Sequence, residues 1–459
     1  MREGTGPPVR KTQPSGKAHN MTESHAAKDT HARALAINLD SSIFGSFAEI
    51  GGGQEVARWF LSVGAASGTV AQTISAYDKA FSDDTYGAGT RYVSRERLLA
   101  MLDREYKLLV ERLGPARGPR TRFFAFANTV ATRNFKGDNE QHGWVGLRFQ
   151  SQPLAEPNDL LIHVNLMDPT AAGQQQALGL LGVNLLYSAH HASDSAGAFL
   201  DCLWDGLSID RMELDVLDFT GPSFTAHDPA TWCLQLLRRN MACAVLFDRE
   251  FRVVEPSGTL RKRPLIVDRG RFEVVEPFHG AMLESAGRAL RAEGAPLSRE
   301  PQAVLEMAIH PLIDDDGADD AAILARVRQI LKLGPALVTA LPEGFRLVPY
   351  LRRYSSEQIR LVGGVTLLAR LLQAQFYDAL PGTLMEGLGK LFASNVTFYV
   401  YPMPREAIIS AIGAASDKVR VPDLGKRLIS SDELVVSPPM NHLYRYLREA
   451  GRIVPIDPP

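Results

Sequence analysis

The stretch FAEIGGGQEVARWF, residues 47–60, runs from a strand-like segment into three glycines and then into a helical pattern. A strand that turns tightly into a helix is the repeating joint of an α/β fold. Working outward, apolar runs that read as buried strands recur at 34–40, 122–128, 144–150, 160–168, 182–189, 212–219 and 242–248. Helical spacing is read at 54–63, 68–80, 94–113, 172–180 and 229–240. In 94–113, Leu98, Leu99, Leu102, Tyr106, Leu109, Val110 and Leu113 form one face, and Ser94 caps the start. FDREFRVVEP and IVDRGRFEVVEP read as hairpins.

Residues 1–32 are rich in Pro, Gly, Ser, Thr, Lys and His and read as a disordered tail. From about residue 281 helical spacing dominates, in LESAGRALRAEG, DAAILARVRQILKLG and LLARLLQAQFYDAL. The strand candidates PALVTAL, QIRLVGG, NVTFYVYP and RIVPID punctuate those helices. The fold expected is α/β: a mixed, largely buried sheet with flanking helices over 33–280, and a helix-rich second α/β unit over 281–459.

The chain has 459 residues, enough for two cores, and a net charge of −2. That charge gives no general pull toward nucleic acid or an acidic membrane, so neither is expected as a partner. No apolar run has the length of a membrane helix, and the amino terminus lacks the apolar core of a secretory signal, so the cytoplasm is the expected location. Cys202, Cys233 and Cys243 are too few and too scattered for a disulfide framework or a structural zinc site.

The glycines admit two readings. Gly51, Gly52, Gly53 and Gln54 can bare the backbone N–H groups of the next helix to a phosphate. They also make a plain tight turn. Glu55 sits in the first helical turn, where its carboxylate satisfies the dipole and repels phosphate. A dinucleotide fingerprint wants glycine where Val56 stands, and an acidic strand end about twenty residues later. A second small-residue loop, with Gly64, Ser67, Gly68 and Thr69, follows one helix later; it lacks the lysine of a P-loop. A third, GGVTLLARLL, starts at Gly363. If the first two loops share a site, they hold the anionic part of a phosphorylated small molecule or nucleotide.

Catalytic candidates follow from position. Asp78 lies just after the second loop, His142 opens a strand, Arg148 alternates with apolar neighbours, and Asp168 ends a strand. Strand ends gather ligands in open α/β sheets, and a His–Arg pair can bind anions or move a proton. His163, inside LLIHVNLMD, reads first as a hydrogen-bonded core histidine. His190, His191 and Asp194 lack the convergent ligands of a zinc site, and no metal site is read from the chain. IDDDGADDA lacks the oxygen ligands of an EF-hand loop and reads as a solvated turn.

RALAINLD, FAEIGGGQEVARWF, VGAASGTVAQTISAYD, RYVSRERLLAMLDREY, HGWVGLRFQ, YLRRYSSEQIRLVGG, GTLMEGLGKLF and NVTFYVYP together resemble a family of long bacterial proteins. Its members carry labels such as nicotinate-nucleotide (nicotinamide-nucleotide) adenylyltransferase or TonB-dependent receptor. The first label implies nucleotidyl transfer with a nucleotide and magnesium. Its motifs, H/T-x-G-H and a late I-S-S-T-x-x-R, are not found: ISSDEL at 429–434 lacks the Thr and the Arg. The second label implies a barrel of alternating strands, which the amphipathic helices and buried-type strands exclude. The function expected is therefore binding of a phosphorylated small molecule or nucleotide, with nucleotidyl or phosphoryl transfer as its chemistry. The alternative is a non-enzymatic scaffold with an inert α/β core.

Overall fold

A computed structural model describes residues 30–89, 91–193, 195–275, 277–294, 296–314, 317–412 and 419–459. The expected tail lies outside these residues except for 30–32, which begin a helix. The chain forms two compact α/β units. One reaches to Met212 and includes Thr220–Thr225; the other comprises Glu213–Phe219 and Ala226–Pro459. Gly280, the boundary drawn from sequence, lies inside the second unit, within helix Pro277–Ala292.

The first unit opens with helix α1 (30–39), which buries Ala34 and Ile37. RALAINLD is thus helix, not strand: the three-residue spacing of its buried positions is a helical face. Strands β1 (Ile43–Ile50), β2 (Val70–Ile74), β3 (Arg122–Ala131), β4 (His142–Phe149) and β5 (Asn158–Leu166) stand in the order β2-β1-β3-β4-β5. β1 runs parallel to β2 and β3, while β3–β4 and β4–β5 are antiparallel, so the sheet is mixed. β2 falls where 68–80 was read as helix; the VAQTI run pairs with β1 instead.

Helix α2 (Glu55–Ser62) follows the three glycines, and α3 (Lys79–Tyr86) follows β2. The long α4 (Arg95–Arg117) is capped by Ser94 as expected, and its Leu98 and Leu102 lie against Gly146 of the sheet. Helix α5 (Ala171–His191) covers the other face, where Gly182 admits Val56 and Phe126, and α6 (Ala196–Trp204) packs on α5. GVNLLYSA, read as a strand, is the middle of α5; buried on nearly every side, it shows no helical stripe. Phe47 meets the rings of Phe60, Phe124 and Phe126 at 5.1–6.0 Å between centroids. Each such buried ring contributes roughly 2–3 kcal/mol.

Strand β6 (Met212–Thr220) belongs to the second unit over Glu213–Phe219. That unit's sheet is built from β7 (Ala244–Phe247), β8 (Val253–Val254), β9 (Leu265–Arg269), β10 (Gln302–Ala308), β11 (Ala336–Thr339), β12 (Ile359–Gly364) and β13 (Val396–Tyr401). Two small ribbons follow: β14 (Met403–Pro404) pairs with β16 (Leu428–Ile429), and β15 (Val419–Arg420) with β17 (Val435–Val436). The last strand, β18 (Ile453–Pro455), rejoins the main sheet, whose order is β18-β13-β12-β9-β10-β11-β7-β8. The six strands from β18 to β11 are parallel, and β7 is antiparallel to β11.

FDREFRVVEP does form the β7–β8 hairpin. IVDRGRFEVVEP does not fold back: β9 lies between two parallel neighbours, and the chain leaves it for a helix. Helix Pro277–Ala292 covers one face through Met282, Ala286 and Leu290 against Ile266, Val362 and Tyr399. Helices Gly344–Arg352, Val365–Leu371 and Thr383–Leu391 contribute to the core on the other face, with Leu265, Val267, Leu337 and Leu361. The second unit is therefore doubly wound. Among the described residues, no helix is long and apolar enough to cross a membrane.

Candidate functional site

The glycine loop turns β1 into α2, and its geometry serves packing. Gly51 has φ +91°, and a Cβ there would lie 1.9 Å from the Val130 carbonyl oxygen of β3. At Gly52 a Cβ would press on Leu178 and Val130 at 2.8 Å; Gly53 has φ +77°, and a Cβ there would meet only ordinary contacts with Gln175 and Glu55 at 3.8 Å. Two of the donors at the start of α2, those of Val56 and Ala57, are already engaged. Ala57 N–H donates to Glu49 Oε1 at 2.9 Å and Val56 N–H to Oε2 at 3.3 Å. Asn128 Nδ2 donates to the same carboxylate at 2.9 Å. Burial pushes Glu49 up to about 7, against the pull of these three donors. The chain's own carboxylate stands where a phosphate was expected, and Gln54 caps the helix without a side-chain bond.

The second loop lies at the other end of α2. The Gly64 carbonyl accepts from Asn38 Nδ2 at 2.7 Å. Ser67 and Gly68 form a single 3₁₀ turn. Thr69 is buried, and its carbonyl accepts from Gly45 near the start of β1. Gly51 follows the end of the same strand. The two glycine loops thus occupy opposite edges of the sheet and do not converge.

The catalytic candidates are also dispersed. Asp78 caps α3, accepting from Phe81 N–H at 3.1 Å. Arg148 forms two bonds to Asp159, at 2.7 and 2.8 Å, and one to Asp103 at 3.1 Å. Asp168 holds Arg211 Nε at 2.9 Å. His142 is buried, with Nδ1 3.0 Å from Nε2 of His163, whose ring lies beside Trp144. His142 and Arg148 stand six residues apart on β4, about 20 Å along a strand. Only the two histidines meet. Asp194 lies outside the described residues. ISSDEL is a capping box: Ser430 accepts from Asp432 N–H, and Glu433 accepts from Ser430 N–H at 2.8 Å.

A different cluster stands at the carboxyl edge of the second unit's sheet. The chain proceeds β9, β10, β11 in one direction, then returns to the other side of β9 for β12 and β13. At that reversal the connections leave β9 and β12 on opposite faces and open a crevice beyond the strand ends. Asp268 and Arg269 end β9, and Asp268 is in register with Val362, just before Gly363 and Gly364 of β12. Successive side chains of a strand point to opposite faces, and the two residues enter different clusters.

Asp268 is buried and accepts a bond from His279 Nδ1–H at 2.9 Å. Burial raises its carboxyl above the usual range, opposed by the bond and charge of His279. With Nδ1–H donating, Nε2 is left as the basic nitrogen. Two rings lie beside the imidazole: Phe278 is stacked on it at 4.1 Å and Phe272 is 5.0 Å away. Phe272 has φ +47°. A left-handed aromatic residue is costly and marks a loop held by its surroundings.

On the other face, Glu306 of β10 is fully buried and accepts from Thr339 Oγ1 of β11 at 2.6 Å. Arg269 Nε lies 3.3 Å from Glu306 Oε2, a charge contact without good hydrogen-bond direction. Burial raises Glu306; the Arg269 charge and the Thr339 bond oppose it, and the Asp268 charge adds to the rise. Arg269 Nη2 donates to the carbonyls of Leu341 and Pro342, both at 2.7 Å, while Nη1 is buried without a partner. Gly364 does not open the crevice: Met403 Sδ occupies the space a Cβ would take.

The sequence hides this cluster: IVDRGRF has the charged-turn pattern of a hairpin, and QAVLEMA of β10 carries a glutamate inside its apolar run. The available signal was an apolar run ending in Asp-Arg-Gly ahead of a helix.

No family model and no curated protein matches the chain. Among solved structures, it is similar over 35% of its length to 94% of the competence/damage inducible protein CihA from Agrobacterium tumefaciens, with 20% identity and a TM-score of 0.27. A competence-damaged protein (CinA) superfamily protein from Enterobacter cloacae matches 40% of this chain over 99% of its own, with 8% identity and a TM-score of 0.27. One from Escherichia coli matches 39% over 95%, with 10% identity and a TM-score of 0.23. Likenesses this slight carry no argument about function.

Proposed function

We propose that the second unit binds a small phosphorylated molecule or nucleotide in the crevice beyond β9 and β12, with His279 as its proton-transfer group. The observation that carries this reading is the Asp268–His279 pair at 2.9 Å on the strand end where the sheet order reverses. The bond fixes the imidazole's tautomer and steadies a positive charge on the ring, as a general base requires. Arg269, on the other face of β9, adds a cationic charge near the same strand end. Phosphoryl or nucleotidyl transfer suits such a set: it needs positioning, charge stabilisation and a base for the attacking hydroxyl. Magnesium would neutralise the phosphates. Three free cysteines fit a reducing cytoplasm.

The test is thermal unfolding of the full chain against ATP, nicotinamide mononucleotide, nicotinic acid mononucleotide and NAD, each with and without magnesium. Ligand at a hundred times its dissociation constant adds about 2.7 kcal/mol. A shift that His279→Ala removes, in a chain that still folds, supports the reading. No shift from any of the four, or one indifferent to His279→Ala, overturns it. The scaffold alternative draws on Phe376 and Met385, large apolar side chains exposed on the second unit.

A further inference from the structure

Helix α5 ends on two histidines, and the first of them sits against the ordinary rule. A histidine in the last turn of a helix is favoured as a cation, near the free carbonyls. His190 instead has both ring nitrogens closed off from water, and neither has a hydrogen-bond partner. A neutral imidazole carries one N–H donor and one acceptor, so both are left unmet. The ring meets Phe149 of β4 edge-on, at 5.5 Å between centroids.

Three charged or titratable groups face the ring. Arg122 of β3 and His191 of α5 oppose a proton on it, and Asp40, in the turn ahead of β1, favours one. His191 is itself held low, by burial and by Arg122. Asp40 is committed elsewhere: its carboxylate accepts from Arg122 Nη2 at 2.8 Å and from Ser42 Oγ at 2.6 Å. Among the described residues no carboxylate bonds the His190 ring, and burial, the largest effect, holds its titration down to about 3. Outside the pocket a protonated ring has water and the carbonyls of the last turn, so release supplies the solvation that burial withholds.

We propose that His190 is an acid-released latch: the neutral ring holds the carboxyl end of α5 against the sheet, and the protonated ring leaves its pocket and lets that end open. The released ring binds its proton near 6.5 and the enclosed ring near 3, so the closed form is fully favoured above 6.5 and gives way as the pH falls below it. Hydrogen exchange of the full chain, read as protection of the last turns of α5 in the wild type and in His190→Leu, tests this. From about pH 7.5 to about pH 4.5 the wild type loses roughly a hundredfold in protection there, and the variant keeps it. Comparing the two chains cancels the titration of the groups they share, Glu49 and His191 among them. At neutral pH the variant protects α5 at least as well as the wild type, since an apolar side chain replaces two unmet polar atoms. An equal loss in both chains overturns the proposal, as does a loss in the wild type that spares the end of α5. Should His190→Leu not fold, the titration of the His190 ring in the wild type, followed by NMR, decides. A ring that stays neutral until α5 opens supports the latch; one that takes its proton near 6.5 with α5 still protected overturns it.

Discussion

Glu49 caps the helix that follows its own strand: its Oε1 accepts the Ala57 N–H at 2.9 Å across the glycine turn. The turn therefore brings an internal carboxylate to a helix amino end, and two of the donors that would draw a phosphate are engaged from within.

This relationship sets a pH dependence. Glu49 titrates near 7 in the folded chain and near 4.5 when unfolded. Between those values the folded state holds a proton that the unfolded state has released, so stability falls as pH rises through the window and levels off above it. The contribution lost is about 3 kcal/mol as an upper figure. Denaturant unfolding of wild type and Glu49→Gln from pH 4.5 to 8 checks it: the wild type loses stability relative to the variant across that window. Parallel curves would contradict the assignment.

The three glycines differ in what they tolerate. Gly51→Ala sets a Cβ against the Val130 carbonyl at a left-handed φ and costs upward of about 3 kcal/mol. Gly53→Ala has only the backbone conformation against it and costs about 1 kcal/mol. Thermal unfolding of the two variants ranks them.

Arg148 holds the sheet to α4 through Asp159 and Asp103. Arg148→Met lowers stability by about 1–3 kcal/mol and leaves any ligand-induced thermal shift unchanged. Loss of the shift with stability intact would assign Arg148 to a site instead.

Asp268→Asn keeps the shape of the β9 strand end and removes the charge that holds His279. For any turnover the chain supports, kcat falls by two orders of magnitude or more, with KM changed far less. Equal losses in both would mark Asp268 as a structural residue only.

The strand-to-helix joint at 47–60 was legible because alternation, glycine and helical spacing all agreed there. RALAINLD and GVNLLYSA misled for one reason: short apolar segments buried on most sides look alike as helix or strand. VAQTI, taken into a helix by its surroundings, became a strand through its pairing with β1. The Asp268 cluster was illegible for a deeper reason. Its residues come from β9, β10, β11 and the helix after β9, and only the strand order brings those ends together. Asp78, Arg148 and Asp168 were visible as polar residues at element ends, where each has a local partner.

Hydrogen–deuterium exchange of the full chain with ATP and magnesium, and with nicotinamide mononucleotide, tests the central claim most directly. Slower exchange is expected over 268–279 and around Gly363–Gly364, with the first glycine loop unaffected. Protection over 51–69 with no change at 268–279, or no change anywhere with either probe, would contradict the placement of the site.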